Sequence, residues 1–180
     1  VLAPDGTSSI TRNIVIAESN SKASIVQELY SNKQSDDKIQ QSLFELLECY
    51  VGANAELDFV TLQAMNEKNS VNLSNRKAFI EKDAKMSWYM GLFGGQLSRY
   101  KIDNIMKGEG ASAEDVEIIF GINDQSFDVT SNLIHYGPNT RGRVLSKSVM
   151  KDNSKSLFKG MIKIDKNGKS AESFLAGHAI

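Results

Sequence analysis

The residues most able to do chemistry here are two histidines, His135 and His178, one cysteine, Cys49, and a run of cations in "NLIHYGPNTRGRVLSKS" (Asn132 to Ser148). A zinc site needs three or four ligands at short paired spacing. His135 and His178 are far apart with no cysteine nearby, so His135 reads as a hydrogen-bonded histidine at a strand end. One cysteine allows no internal disulfide and cannot hold a zinc ion or an iron–sulfur cluster alone. Cys49 sits among apolar residues without neighbouring cations, the setting of an inert core thiol. "MKGEGASAED" has Lys107 before its glycines and a strand after them, the reverse of a phosphate loop, and "GLFGGQ" (Gly91 to Gln96) lacks dinucleotide-binding spacing. Both read as tight turns. No Ser/His/Asp or Cys/His arrangement stands out. In "RGRVLSKS", Arg141, Arg143, Leu145 and Lys147 point one way and Gly142, Val144, Ser146 and Ser148 the other. Charge on such a row is usually solvated.

The elements that must position these residues are short and β-rich. "RNIVIAES" alternates, with Ile14 and Ile16 on one face, and "SIVQELYS" follows a polar turn. "NAELDFVTLQ" puts Ala55, Leu57, Phe59 and Thr61 on one face. "KMSWYMGLF", "SRYKIDNI", "DVEIIFGI", "FDVTSNLIHY", "GRVLSKSVM" and "SLFKGMIKI" are further strands bounded by Gly, Asn, Asp or Ser. "DDKIQQSLFELLECYV" is ambiguous. Ile39, Leu43, Leu46, Leu47 and Tyr50 fall at helical spacing behind Asp36 and Asp37 as caps, yet the segment also reads as a strand from about Phe44, and the strand is the reading favoured.

Three breaks resemble one another: "VGANAELDFV", "EGASAEDVEIIF" and "KNGKSAESFL". They recur roughly every 60 residues, two or more coils of a solenoid whose repeats run to about 20–30 residues. Pattern alone leaves a β-helix and a β-sandwich both open.

The bulk numbers set outer bounds. The chain has 180 residues, 41% hydrophobic and 24% charged, with 21 cations against 22 anions and a net charge of -1. That is one ordinary globular domain with a useful core. The balanced, interleaved charge gives no steering toward nucleic acid or acidic lipid. No apolar run reaches membrane-spanning length, no signal sequence opens the chain, and the single cysteine fits a reducing cytoplasm. A start at Val1 and an apolar end at "FLAGHAI" read as a piece of a longer polypeptide.

The run "LIHYGPNTRGRVLSKSVMKDNSKSLFKGMIKI" resembles the SufB/SufD family of iron–sulfur cluster assembly scaffolds. That family carries a histidine, then N-T-x-S-R, an S-K strand and an aromatic-x-G-x-[IV]-x-[IV] strand in this order. "KMSW" (Lys85 to Trp88), "GANAELDFVTLQ" and "ESFLAGHAI" are similar to its other segments. The resemblance implies an all-β fold, a right-handed parallel β-helix forming one core domain over residues 1–180. It places the family's C-terminal helical region, with its ATPase-binding helices, outside this chain. It implies a non-enzymatic scaffold subunit of a cytoplasmic assembly complex, partnered by a homologous SufB/SufD-type subunit and a SufC-type ABC ATPase. No cofactor or metal would be bound by this chain itself; an iron–sulfur cluster would be held only transiently by the full complex. The edge strands at the end of the stack would allow a homodimer.

The same resemblance matches Arg76, Gln125 and Lys147 to polar and cationic positions lining the family's core passage. Gly142 replaces the serine of N-T-x-S-R, and about Asn104 stands where the SufB branch has a core cysteine. These departures imply a SufD-like partner or simplified paralogue rather than a sulfur acceptor. The alternatives are a β-solenoid acting on polysaccharide through two acids at defined separation, and a β-sandwich binding module.

Overall fold

The computed structural model describes residues 2–3, 8–31 and 39–180. Every regular element among the described residues is a strand, and the strands alternate between two sheets. One sheet takes β1 (Leu2–Ala3), β3 (Lys22–Ser31), β5 (Glu56–Ala64), β7 (Lys85–Leu92), β9 (Ser112–Gly121), β11 (Arg141–Met150) and β13 (Glu172–Ala179), in that spatial order. The other takes β2 (Ser8–Ala17), β4 (Gln41–Val51), β6 (Ser70–Ile80), β8 (Leu97–Met106), β10 (Ser126–His135) and β12 (Lys155–Ile164), again in order. All pairings are parallel. Each strand stacks on the strand one coil earlier, so the chain winds as a parallel β-solenoid and the β-sandwich is excluded. Ser112 lies beside Arg141 and Leu97 beside Ser126, both 29 positions on.

With that period the roughly 60-residue spacing of the three similar breaks is two coils. The three similar breaks all occupy the corner leading into the seven-stranded sheet, and two further corners of different sequence lie between them. One residue per coil turns this corner with positive φ: Asn20, Asn54, Asp83, Gly110, Asn139 and Ser170. Asparagine and aspartate tolerate that region because their short side chains bond locally, and glycine has no Cβ to clash. The corners bond to each other in a column. Asn20 N–H donates to Ala53 O (2.9 Å), Asn54 to Lys82 O (2.9 Å), Asp83 to Glu109 O (2.8 Å) and Asn139 to Lys169 O (2.8 Å). "GLFGGQ", "MKGEGASAED" and "GPNT" are all coil corners, as their turn chemistry indicated.

The segment open between helix and strand is strand β4, beginning at Gln41, three residues before Phe44. Its leucines follow period 2 as well as a helical stripe: Leu43, Leu47, Cys49 and Val51 point inward, while Phe44, Leu46 and Tyr50 point out. Asp36 and Asp37 lie outside the described residues. In β2, Ile14 and Ile16 share one face as their alternation indicated, the outer one, and Val15 and Ala17 face the core.

The interior is narrow and filled by one row of side chains per inward position. Ala55, Leu57, Phe59 and Thr61 are all buried on one face, as their alternation indicated. Leu57, Met86 and Ala113 form one row, and Phe59, Trp88, Asp115 and Val144 the next. Stacking like positions lets each coil bury a face it could not bury alone.

Candidate functional site

Polar residues interrupt this interior at several levels, two of which hold buried acids. The first centres on Arg76, inward on β6 and 0% exposed. Its Nη2 donates to Glu45 Oε2 on β4 (2.9 Å) and Gln27 Oε1 on β3 (2.8 Å). Nη1 donates to Thr61 Oγ1 on β5 (2.6 Å), and Nε reaches Glu45 Oε2 (3.1 Å) and Ser74 Oγ (3.0 Å). Glu45, itself buried, also accepts from Ser74 Oγ (2.6 Å) and Gln27 Nε2 (2.5 Å). Burial alone would raise the Glu45 carboxyl. The Arg76 charge and the hydrogen bonds from Ser74, Gln27 and Arg76 outweigh it and hold the group below its ordinary value. Around the guanidinium stand Phe59, Trp88 and Tyr100, with ring centroids at 5.5, 5.6 and 5.1 Å. A desolvated guanidinium gains from ring faces as well as from its carboxylate.

The second level lies about one coil further on. Trp88 Nε1 donates to Asn104 Oδ1 (3.0 Å), and Asn104 Nδ2 donates to both oxygens of Asp115 (3.0 and 2.9 Å). Glu117, two residues along the same inward face of β9, accepts from Ser131 Oγ (2.5 Å) through Oε1. Its Oε2 is buried without a partner. Arg76 is the only buried lysine or arginine among the described residues, and it is bound to Glu45. Burial, reinforced by the Glu117 charge, therefore pushes Asp115 well above the usual carboxylate range, and burial also raises Glu117. Buried carboxyls without a counter-ion resist ionisation, Asp115 most strongly of the two.

The three residues matched to a core passage fall in three different places. Arg76 is inward, but every direction around its head group is taken by a partner or a ring, so the interior is filled at its level. Gln125 is buried at the corner between β9 and β10. There its Nε2 donates to Gly95 O (3.0 Å) and its Oε1 accepts from Ile122 N (2.9 Å), bracing two corners. Lys147 lies on the outer face of β11, exposed to solvent, and lines no interior. Strict alternation from buried Val144 and Ser146 forces this orientation.

Of the other candidates, His135 closes β10 and is buried. Thr140 Oγ1 donates to Gly137 O (3.2 Å), so it accepts from His135 Nδ1 (2.8 Å), leaving Nε2 to accept from Ser173 Oγ (2.6 Å). Burial lowers its pKa, so the ring is neutral. Cys49 is fully buried and its thiol is pushed up to about 12 by burial, consistent with an inert sulfur. His178 is exposed on β13. Among the described residues, no group of three or more His, Cys, Asp or Glu is arranged to hold a metal ion. Sequence reading missed Glu45, Asp115 and Glu117. The available signal was parity: Asp115 and Glu117 share the strand face of Ala113 and Ile119.

The fold and this interior define a parallel β-solenoid whose polar residues are spent on bracing its own coils rather than on an open pocket. The family model described as "SUF system FeS cluster assembly, SufBD core domain" matches residues 1–180. The chain belongs to that family. Among curated relatives, an iron–sulfur cluster assembly SufBD family protein of Staphylococcus epidermidis is 26% identical over 163 residues, 90% of this chain and 34% of the relative. The proteins of the same description from Staphylococcus saprophyticus and Staphylococcus aureus match equally, at 26% over the same shares. The chain thus spans about a third of the length of these relatives.

Proposed function

We propose that this chain is the β-solenoid core of a non-enzymatic scaffold subunit in a cytoplasmic iron–sulfur cluster assembly complex. In that complex the full-length protein pairs with a homologous SufB/SufD-type subunit and a SufC-type ABC ATPase. The observation that carries the reading is the family match over the whole solenoid, residues 1–180.

The chemistry of the chain is consistent with a structural share of the work. A nascent cluster, the cargo of such a complex, needs thiolate or imidazole ligands. Cys49 is sealed and protonated, both nitrogens of His135 are occupied by hydroxyls, and the exposed His178 is a single imidazole, too few ligands to hold a cluster alone. Cargo would be held by residues elsewhere in the complex, which favours a SufD-like partner over a sulfur acceptor. The lateral edges of β12 and β13 end the two sheets within the described residues and offer backbone groups to a homologous subunit or a second copy.

The polysaccharide-enzyme reading has less support. On the outer face of the seven-stranded sheet, Glu56, Glu114 and Glu172 are each ion-paired, to Lys22, Arg143 and Arg141. The proposal is tested by affinity purification of the full-length protein from its own cells. Recovery of the ATPase and the sister subunit in fixed proportion is expected. Recovery of the protein alone, at low salt and without detergent, defeats it.

A further inference from the structure

Along the edge where the six-stranded sheet turns into its corners, aromatic rings are seats for cations. Lys107, the residue after β8, places its Nζ 4.7 Å from the centroid of Phe79 on β6. One coil after Tyr136, Lys163 on β12 places its Nζ 5.9 Å from that ring. Tyr50 and Phe79 stack, with centroids 4.9 Å apart and planes inclined by 16°. Tyr50 belongs to β4, so it and Lys107 approach Phe79 from opposite sides of β6. The order is cation, ring, ring. The second face of Tyr50 turns toward β2, where its register neighbour is Ile16. Among the described residues no lysine or arginine lies over Tyr50.

A cavity of about 400 Å³ opens beside that ring, lined by Ile16, Glu18, Tyr50, Gly52, Phe79 and Glu81 together with the intervening backbone. Glu18, Gly52 and Glu81 follow the paired residues Ala17, Val51 and Ile80, so they form the next row across three coils. With strands about 4.8 Å apart, the two glutamates stand about 10 Å apart at their backbones. Between them Gly52 leaves a notch. A Cβ there would lie 2.8 Å from the Ser19 backbone nitrogen, so the notch is built into the corner. Both glutamates are exposed, and neither is ion-paired among the described residues. No lysine or arginine lines the cavity. Lys107, next to Glu81 in this row, is turned onto Phe79.

Two uncompensated carboxylates above an aromatic floor call for a cation. A metal ion fits poorly, because calcium and magnesium want six or more oxygens and this floor is carbon. A guanidinium fits well. Its plane extends the ring stack, and its N–H groups fork toward carboxylates on two sides, which a compact ammonium cannot match. We propose that this cavity binds a guanidinium group, stacked on the open face of Tyr50 and hydrogen-bonded to Glu18 and Glu81. The group is carried either by a small alkylguanidine or by an arginine side chain of a polypeptide. The inference rests on this edge of the sheet and is independent of the cluster-assembly reading.

The test is isothermal titration calorimetry of the full-length protein with butylguanidinium, butylammonium and the peptide acetyl-Gly-Arg-Gly-amide. Butylguanidinium should bind saturably, at least about fivefold tighter than butylammonium, and more weakly as salt is raised. Glu18→Gln and Glu81→Gln should each weaken it several-fold with thermal melts unchanged, because both side chains are exposed and unpaired. Tyr50→Leu should weaken butylguanidinium more than butylammonium. Comparable affinity for the peptide assigns the site to an arginine of a polypeptide, and rejection of the peptide assigns it to a free alkylguanidine. No saturable binding of butylguanidinium, equal affinity for butylammonium, or indifference to both glutamine substitutions would overturn the proposal.

Discussion

Removing one member of the Arg76–Glu45 pair strands the other inside the solenoid. An uncompensated buried charge costs several kcal/mol, whereas the intact pair is close to balanced against its own desolvation. Arg76→Met should therefore destabilise the chain by about 3–5 kcal/mol in urea unfolding. A loss below about 1 kcal/mol would mean that Glu45 finds water or a proton at little cost. Asp115 makes the opposite kind of prediction. Its folded-state pKa is raised above the unfolded value of about 3.9. Between the two values the folded chain binds more protons than the unfolded one, so this group's contribution is greatest below the unfolded pKa and is lost as pH rises through the folded pKa. Asp115→Asn should flatten that loss, and the stability difference between variant and parent should grow in the variant's favour from pH 4 upward. A difference independent of pH would show that Asp115 is not held protonated. Glu45, with its pKa lowered, contributes in the reverse sense, above its unfolded value, and is common to both proteins in that comparison. Lys147 carries the third prediction. It is exposed and outward, so Lys147→Ala should change stability by less than about 0.5 kcal/mol and leave cluster assembly by the full-length protein unaltered in cells. Loss of assembly would show that the outer face of β11 is used.

At the scale of elements, the corners set the register. Gly108 sits where an added Cβ would lie 2.1 Å from the Lys82 backbone nitrogen of the coil before, an atom that cannot move without dragging a corner with it. Gly108→Ala should cost at least about 2 kcal/mol in thermal or urea unfolding, as backbone clashes at special positions do. A neutral result would mean that the corner column is loose. Much at this scale was legible in the sequence. Short β-branched runs gave the strands, glycine and asparagine gave the corners, and the similar breaks marked every second coil of a solenoid. The coils between went unmarked because Asp83 and Asn139 perform the same turn with different neighbours. Strand β4 was ambiguous because Leu43, Leu46, Leu47 and Tyr50 satisfy a helical stripe and a strand alternation together. Its parallel neighbours decide the matter, and a local pattern does not contain them. For Ile14 and Ile16 of β2, alternation shows that they share a face, not which face is inside.

Over the whole molecule, the interior networks join residues that lie far apart in the chain. Gln27, Glu45, Thr61 and Arg76 meet only after successive coils have stacked, and Trp88, Asn104 and Asp115 meet across the two sheets. No short motif encodes these contacts, and for that reason Arg76 was singled out without its partner Glu45, while Asp115 and Glu117 went unread. The whole-chain match to the SufBD core family gives this solenoid its biological setting, and its sealed, self-braced interior suits a structural part in a larger assembly. The most direct measurement of that part is made in cells lacking the full-length protein. Iron–sulfur occupancy of a reporter protein, followed by its visible absorbance and activity under iron limitation, should fall and be restored by the full-length gene. Occupancy that is the same with and without the gene would contradict a scaffold role in cluster assembly.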